Sequence, residues 1–283
     1  MRVARILGSP AGFYDRKCLA IDALTLDEGR GQSCSVTADR ERVQWSGQTE
    51  TFETAAERLN GSADLIHAYG VLPPRLLRKL KVPLFSEFMA SPQPSRWVSM
   101  LRKTSPAVTP ERAIPEAVDD SFFVDTPRSP LPGRVRIGSL AGGRDLRRMI
   151  ELSIVRFSRF RDDIDWDLFD EAPEVFTLRE LSLWVDPGSD ENDRDGFVAE
   201  ALVAGLPVVA SASSTNEVRL EGGRSGFLVP PGDPNELVHA ALTALFKDEV
   251  CLPRLAAARE SRERFRSSHR RDALLQAYRE IVP

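Results

Sequence analysis

Glu200 is the carboxylate whose surroundings this chain constrains most. It lies in the stretch from Asp195 to Pro234, DGFVAEALVAGLPVVASASSTNEVRLEGGRSGFLVPPGDP. Asp195-Gly196 reads as a helix start, and Phe197, Ala201, Leu202 and Val203 supply the apolar side of a short helix. Gly205 fits its stop, with Pro207 beyond it. Val208-Val209-Ala210, short and apolar throughout, reads as a buried strand. The small-residue loop Ser211 to Thr215, with Ser213 and Ser214 at its centre, follows directly. Ligands of open α/β sheets bind at the carboxyl ends of strands, so this loop stands where a ligand belongs. Glu200 sits on the helix beside that crevice, where a carboxylate can accept both hydroxyls of a vicinal diol. The plainer reading is a helix glutamate that faces water or caps its own turn.

Two glycine-bearing loops offer further chemistry. The first predicted strand, Val3 to Leu7, runs into Gly8-Ser9-Pro10-Ala11-Gly12. Gly12 there either lets a ligand come close or simply belongs to an ordinary strand–helix loop. A later predicted strand, 134–137, runs into Gly138-Ser139-Leu140-Ala141-Gly142-Gly143-Arg144. A helix begins near Arg144, and the backbone N–H groups at its start suit a phosphate; otherwise Arg144 is an exposed helix arginine. His67 ends a predicted strand within residues 63–70, either as a proton donor or sugar contact or as a structural histidine. Asp163, Asp165 and Asp167 alternate along another strand, a spacing that recurs by chance in an acidic chain, so no metal site is assigned.

The elements that must position these residues alternate in type. Further strands are expected at 33–37, 43–46, 82–88, 164–170 and 181–185. Helices are expected at 51–60, 75–81, 235–246 and 269–282, the segment at 75–81 being basic and amphipathic. The 283 residues favour two domains, and 42% apolar content suffices for packed cores. The net charge of −4 argues against a general nucleic-acid binder. Three distant cysteines, Cys18, Cys34 and Cys251, suggest a reducing compartment. The opening MRVARILGSP has too short an apolar run for a signal peptide, and no run has the length of a membrane span. The expected location is therefore cytoplasmic. The basic segment 75–81 would be the peripheral contact with an anionic membrane if it is not simply a solvated helix.

The central stretch resembles the donor-sugar half of the family 4 retaining glycosyltransferases. The residues that carry the resemblance are Glu200-Ala201, Gly205, Pro207-Val208-Val209, Glu217-Val218, Gly226-Phe227-Leu228-Val229 and Pro230-Pro231-Gly232-Asp233. The resemblance implies the GT-B fold, an α/β fold of two Rossmann-like domains facing across a cleft. It would divide this chain into an acceptor-side domain at 1–124, a linker at 125–133 rich in proline, a nucleotide-sugar domain at 134–268, and a last helix at 269–283 packing back on the first domain. It implies a metal-independent, hexosyltransferase-like enzyme with no cofactor. A nucleotide-diphosphate sugar would be the donor, and a saccharide, lipid or small molecule the acceptor.

By the same resemblance Glu200 holds the ribose, Glu191 meets the donor sugar, and Arg144 meets the diphosphate. Backbone N–H groups of Gly196, Phe197, Ser213, Ser214 and Thr215 add to the site, His67 contacts a sugar, and Gly12 lies near acceptor and diphosphate. The chain departs from the pattern at Ser139, where the family has arginine. It departs again at Asn192, where seven residues counted back from Glu200 should end on glutamate. These departures keep a second function open, that of a non-catalytic binding or scaffold protein on a degenerate form of the same fold.

Overall fold

The structure, a computed structural model, describes residues 1–8, 13–26, 34–38, 42–45, 48–69, 72–88, 112–124, 135–140, 144–188 and 197–282. They form two compact units, Met1–Ala117 with Ser267–Pro283, and Val118–Arg266. The expected linker, 125–133, lies outside the described residues.

The first unit is built on a sheet of seven strands: β1 (Val3–Leu7), β2 (Cys34–Ala38), β3 (Val43–Trp45), β4 (Gln48–Glu50), β5 (Leu65–Tyr69), β6 (Leu84–Phe88) and β7 (Arg112–Ala113). Their order is β4-β3-β2-β1-β5-β6-β7. Only the β2-β3-β4 end is antiparallel. β5 has a strand on either side and is buried along its whole length. Its side chains alternate between the two faces of the sheet. Ile66 and Ala68 join the layer formed with the helix Phe52–Ser62, whose buried stripe is Phe52, Ala55, Ala56 and Leu59. That helix starts where Thr51 Oγ1 accepts a hydrogen bond from the Thr54 amide at 3.3 Å. Leu65, His67 and Tyr69 point the other way, into the layer that holds the helices Phe13–Leu26 and Ser267–Ile281.

A fully buried ion pair ties this second layer together. Arg270 donates from Nε and Nη2 to the two oxygens of Asp22, each at 2.8 Å, and from Nη1 to the Pro115 carbonyl at 3.2 Å. The Tyr69 hydroxyl donates to the same carboxylate at 2.8 Å. Lys17 and Glu116, both nearly buried, make a second pair at 2.8 Å.

The second unit has five strands, all parallel: β8 (Val135–Leu140), β9 (Ile164–Phe169), β10 (Leu183–Asp186), β11 (Val208–Ser211) and β12 (Phe227–Val229), in the order β12-β11-β10-β8-β9. Ile137, Leu183, Val185, Val209 and Phe227 cover one face and pack with the helices Arg144–Phe157 and Pro234–Phe246. Trp184 lies on the opposite face, between Phe169 and Phe197. Gly138 makes room for it. A Cβ at Gly138 would stand 2.4 Å from the Leu181 side chain and 3.0 Å from the indole.

Several expectations shift at their ends, and one changes in kind. The basic segment expected as a helix over 75–81 is helical only at Pro74–Leu77. Leu80 and Val82 turn inward, and Pro83 biases the residue before it away from helix. Two long helices, Phe13–Leu26 and Asp248–Ser261, stand outside the expectations because their apolar residues do not keep to one stripe. Cys18 and Cys251 are buried and in no disulfide. Among the described residues no helix is long and apolar enough to cross a membrane.

The ion pair gives a test of what holds the first unit together. Arg270→Ala leaves Asp22 buried without its cation, and should cost about 3–5 kcal/mol of stability. Urea unfolding of the full chain checks this. An unchanged midpoint would show that the pair contributes nothing.

Candidate functional site

The strand order of the second unit reverses between β8 and β10. From β8 the chain goes outward to β9, then returns to the other side and proceeds through β10, β11 and β12. Crossovers that diverge in this way leave a crevice at the carboxyl ends of the two central strands, which is where open α/β sheets bind ligands. The segments that leave those ends are 141–143 with the helix from Arg144, and 187–197 with the helix from Val198.

Glu200 is on the helix Val198–Val203, all six residues of which are buried. Glu200 itself is 1% exposed, so it does not face bulk water as the plainer reading had it. The helix is anchored at its start by Phe197, whose ring packs 5.3 Å from Trp184 and 5.6 Å from Phe122. It ends at Gly205, whose φ of +82° is open to glycine at little cost. The chain then enters β11 and emerges at Ser211.

The loop after β11 is held from several directions. Ser213 Oγ accepts from the Asn216 amide at 3.1 Å and caps the short helix Ser214–Arg219. Ser213 and Thr215 are nearly enclosed, while Ser214 is exposed. The Asn216 side chain donates to Asp186 Oδ2 and to the Ser211 carbonyl, both at 3.1 Å, and Arg219 donates to its Oδ1 at 3.4 Å. Asp186 is the last residue of β10 and is 6% exposed. Neither Asp186 nor Asn216 is among the residues singled out from the sequence. The signal was an acid at a strand end and an asparagine five residues after the next strand end, and only the fold shows that these meet.

The remaining predicted site residues fall differently. Arg144 is the first residue of the helix Arg144–Phe157, and its side chain lies outside what the structure describes. Glu191, Gly196 and Gly12 also lie outside the described residues. Two of the alternating aspartates are engaged by arginines: Asp163 with Arg161, and Asp167 with Arg136 at 2.9 Å. Among the described residues no group of three potential metal ligands comes together.

His67 belongs to the first unit and has no exposed surface. Its Nδ1 lies 2.6 Å from the Tyr278 hydroxyl, and the rings of Tyr69, Phe85 and Tyr278 enclose it. Nε2 is buried with no hydrogen-bond partner. Removal from water holds this imidazole well below its ordinary pKa, and the nearby charges of Arg270 and Arg5 act in the same direction. A proton donor must reach its acceptor, and the imidazole has no exposed surface in this structure. Its surroundings are those of a structural core residue.

Comparison with known proteins agrees with this geometry. Residues 178–247 match the family model described as glycosyl transferases group 1, a span that takes in β10, Glu200, β11 and the loop beyond it. The D-inositol 3-phosphate glycosyltransferase of Saccharomonospora viridis is 37% identical over 92 residues, which are 32% of this chain and 21% of that protein. The match therefore spans about a fifth of that relative's length.

Among solved structures, Anabaena HepE in complex with UDP superposes with a TM-score of 0.70 at 14% identity, over 99% of this chain and 100% of that one. HepE in complex with UDP-glucose superposes equally well. Sucrose-phosphate synthase from Thermosynechococcus elongatus gives a TM-score of 0.67 at 15% identity, over 99% of both chains. The fold is that of the GT-B glycosyltransferases.

His67 also provides a check on the electrostatics. Its folded-state pKa is depressed, so below about pH 6.5, its unfolded value, the unfolded chain takes up a proton that the native state refuses. Stability should be fully present above pH 6.5 and fall as pH drops below it, by up to about 1.4 kcal/mol per pH unit for this one group. Thermal unfolding at pH 5.5–7.5 should show this slope in the wild type and lose it in His67→Gln. Equal slopes in both would mean that folding leaves the His67 pKa unshifted.

Proposed function

We propose that the protein is a retaining glycosyltransferase of family 4, moving a sugar from a nucleotide-diphosphate sugar to a saccharide, lipid or small-molecule acceptor without a metal ion. The observation that carries this reading is the enclosed Glu200 beside the β11 loop, within the residues that match the group 1 family. The UDP and UDP-glucose held by HepE make a uridine nucleotide the first donor to try. In this reading Glu200 accepts the two ribose hydroxyls, as a desolvated carboxylate does well. Arg144 and the N–H groups at the start of its helix neutralise the diphosphate. Glu191 meets the donor sugar, and backbone N–H groups of Gly196, Phe197, Ser213, Ser214 and Thr215 complete the cradle. The loop ending at Gly12 lies towards the acceptor. His67 is given no contact with substrate.

The chemistry asks the protein mainly to hold and neutralise. The bond from the sugar to the diphosphate loosens first and leaves an oxocarbenium-like centre. The acceptor oxygen attacks from the face the diphosphate has just left, and its proton passes to the departing phosphate. Fixed cations and N–H dipoles around that phosphate stabilise the developing charge. The domain roles follow: donor binding in 134–268, acceptor binding in 1–124, 125–133 as the linker and 269–283 as a helix returning to the first domain. The protein works in the cytoplasm. The exposed Arg75, Arg78, Lys79 and Lys81 are its contact with an anionic membrane surface.

Calorimetric titration with UDP tests the donor site. Glu200→Gln should bind UDP about five- to a hundredfold more weakly, and lose this difference for an analogue lacking both ribose hydroxyls. Arg144→Ala should weaken UDP by about ten- to a hundredfold and leave uridine nearly unchanged. If wild type and Glu200→Gln bind UDP equally, the donor site is misassigned. If no nucleoside diphosphate binds at all, the scaffold reading replaces the enzyme.

Metal independence has its own check. UDP affinity should be the same in EDTA as in manganese. Binding seen only with the metal would overturn it.

A further inference from the structure

The β11 loop carries three of the proposed donor-binding positions, and a residue just beyond them ties it to β10. That residue is Asn216. Its single Nδ2 donates to Asp186 at the end of β10 and to the Ser211 carbonyl at the end of β11, each at 3.1 Å. Its backbone amide donates to Ser213 Oγ in the middle of the loop, and its Oδ1 accepts from Arg219. One side chain thus joins the carboxyl ends of two adjacent strands and the loop that leaves one of them. Asn216 is 1% exposed and Asp186 6%, so water does not compete for these bonds.

Asp186 is also the last residue of β10. A shift of the asparagine would therefore release the β11 loop from the end of β10. Asn216 stands in the first turn of a helix, a place where a solvent-facing residue would satisfy local structure equally well. Its burial against a carboxylate from a distant strand calls for a different reason.

We propose that Asn216 and Asp186 form a positioning clasp for nucleotide binding: they set the loop Ser211–Thr215 against the end of β10 in the shape that receives a nucleoside diphosphate. Neither residue touches the ligand; both act through the loop. The inference rests on the donor-site reading above.

The experiment is UDP titration by calorimetry on the full chain, with thermal unfolding of each variant alongside. Asn216→Ala and Asp186→Ala should each weaken UDP at least tenfold. The double variant should be little worse than either single one, because the two side chains act as a unit. Asp186→Asn keeps an oxygen that accepts from Asn216 and should stay within about threefold of wild type. Arg136→Ala on β8 removes the ion pairs to Asp167 on β9 and to Glu180, and should lower the melting temperature without changing UDP affinity.

If the clasp variants melt earlier but bind UDP as wild type does, the pair is merely structural and the proposal falls while the donor site stands. Additive losses in the double variant would also sink it. If wild type itself binds neither UDP nor GDP, the donor-site reading and the clasp fall together. Should Asn216→Ala not fold, the comparison of Asp186→Ala with Asp186→Asn decides: equal affinities overturn the proposal, and a loss confined to alanine supports it.

Discussion

A parallel strand cannot be joined to its neighbour by a tight turn, so the chain must cross over one face of the sheet to begin the next strand. In the second unit every strand is of this kind, and the direction of crossing changes once, between β8 and β10. That constraint fixes where the polar chemistry can go. The faces are taken by Val209, Leu183 and Phe227 on one side and by Trp184 and the helix Val198–Val203 on the other. What is left for polar groups is the row of strand ends, and Asp186, Ser211 and Ser213 occupy it. Glu200 is the carboxylate brought into this apolar setting from a helix rather than from a strand end.

The first unit solves the same problem with polar groups inside. Its second helical layer is not a uniform hydrocarbon interface but holds Asp22, Arg270, Tyr69, His67 and Tyr278 in two hydrogen-bonded sets. Such groups favour one arrangement of helices over others that would bury the same apolar area, since any other leaves a charge or hydroxyl without its partner. The layer on the opposite face, with Ile66, Ala68, Phe52 and Leu59, is apolar and carries no such restriction.

The parts of the fold legible in the sequence were those with short-range signals. Val208 to Ala210 announces itself as a buried strand, and 51–60 and 235–246 as helices, because each depends on neighbours within a few residues. The position of Glu200 was legible for the same reason, lying between a helix start and a strand. His67 was not. A strand buried on both faces has no polar side, so its sequence does not say which layer receives the imidazole, or that Tyr278, more than two hundred residues later, waits there. The Asp186–Asn216 contact escaped likewise, since its partners come from the end of one strand and the helix after the next. The helices Phe13–Leu26 and Asp248–Ser261 lacked the single apolar stripe that periodicity requires.

The placement of the helix Ser267–Ile281 has a bearing on how the molecule is made. The first unit is discontinuous: Asp22, near its beginning, is completed by Arg270, and the second unit, 118–266, is strung between them. A ribosome delivers residues 1–117 long before it delivers 267–281. Leu65, Phe85, His67 and Ile114 are then left without the helix Ser267–Ile281 throughout the synthesis of the second unit. The contiguous middle of the chain can reach its native form first, which inverts the usual amino-to-carboxyl sequence of domain folding. During that interval Leu65, Phe85 and Ile114 are exposed beside the unpaired His67 and Asp22, a surface of the kind that chaperones hold.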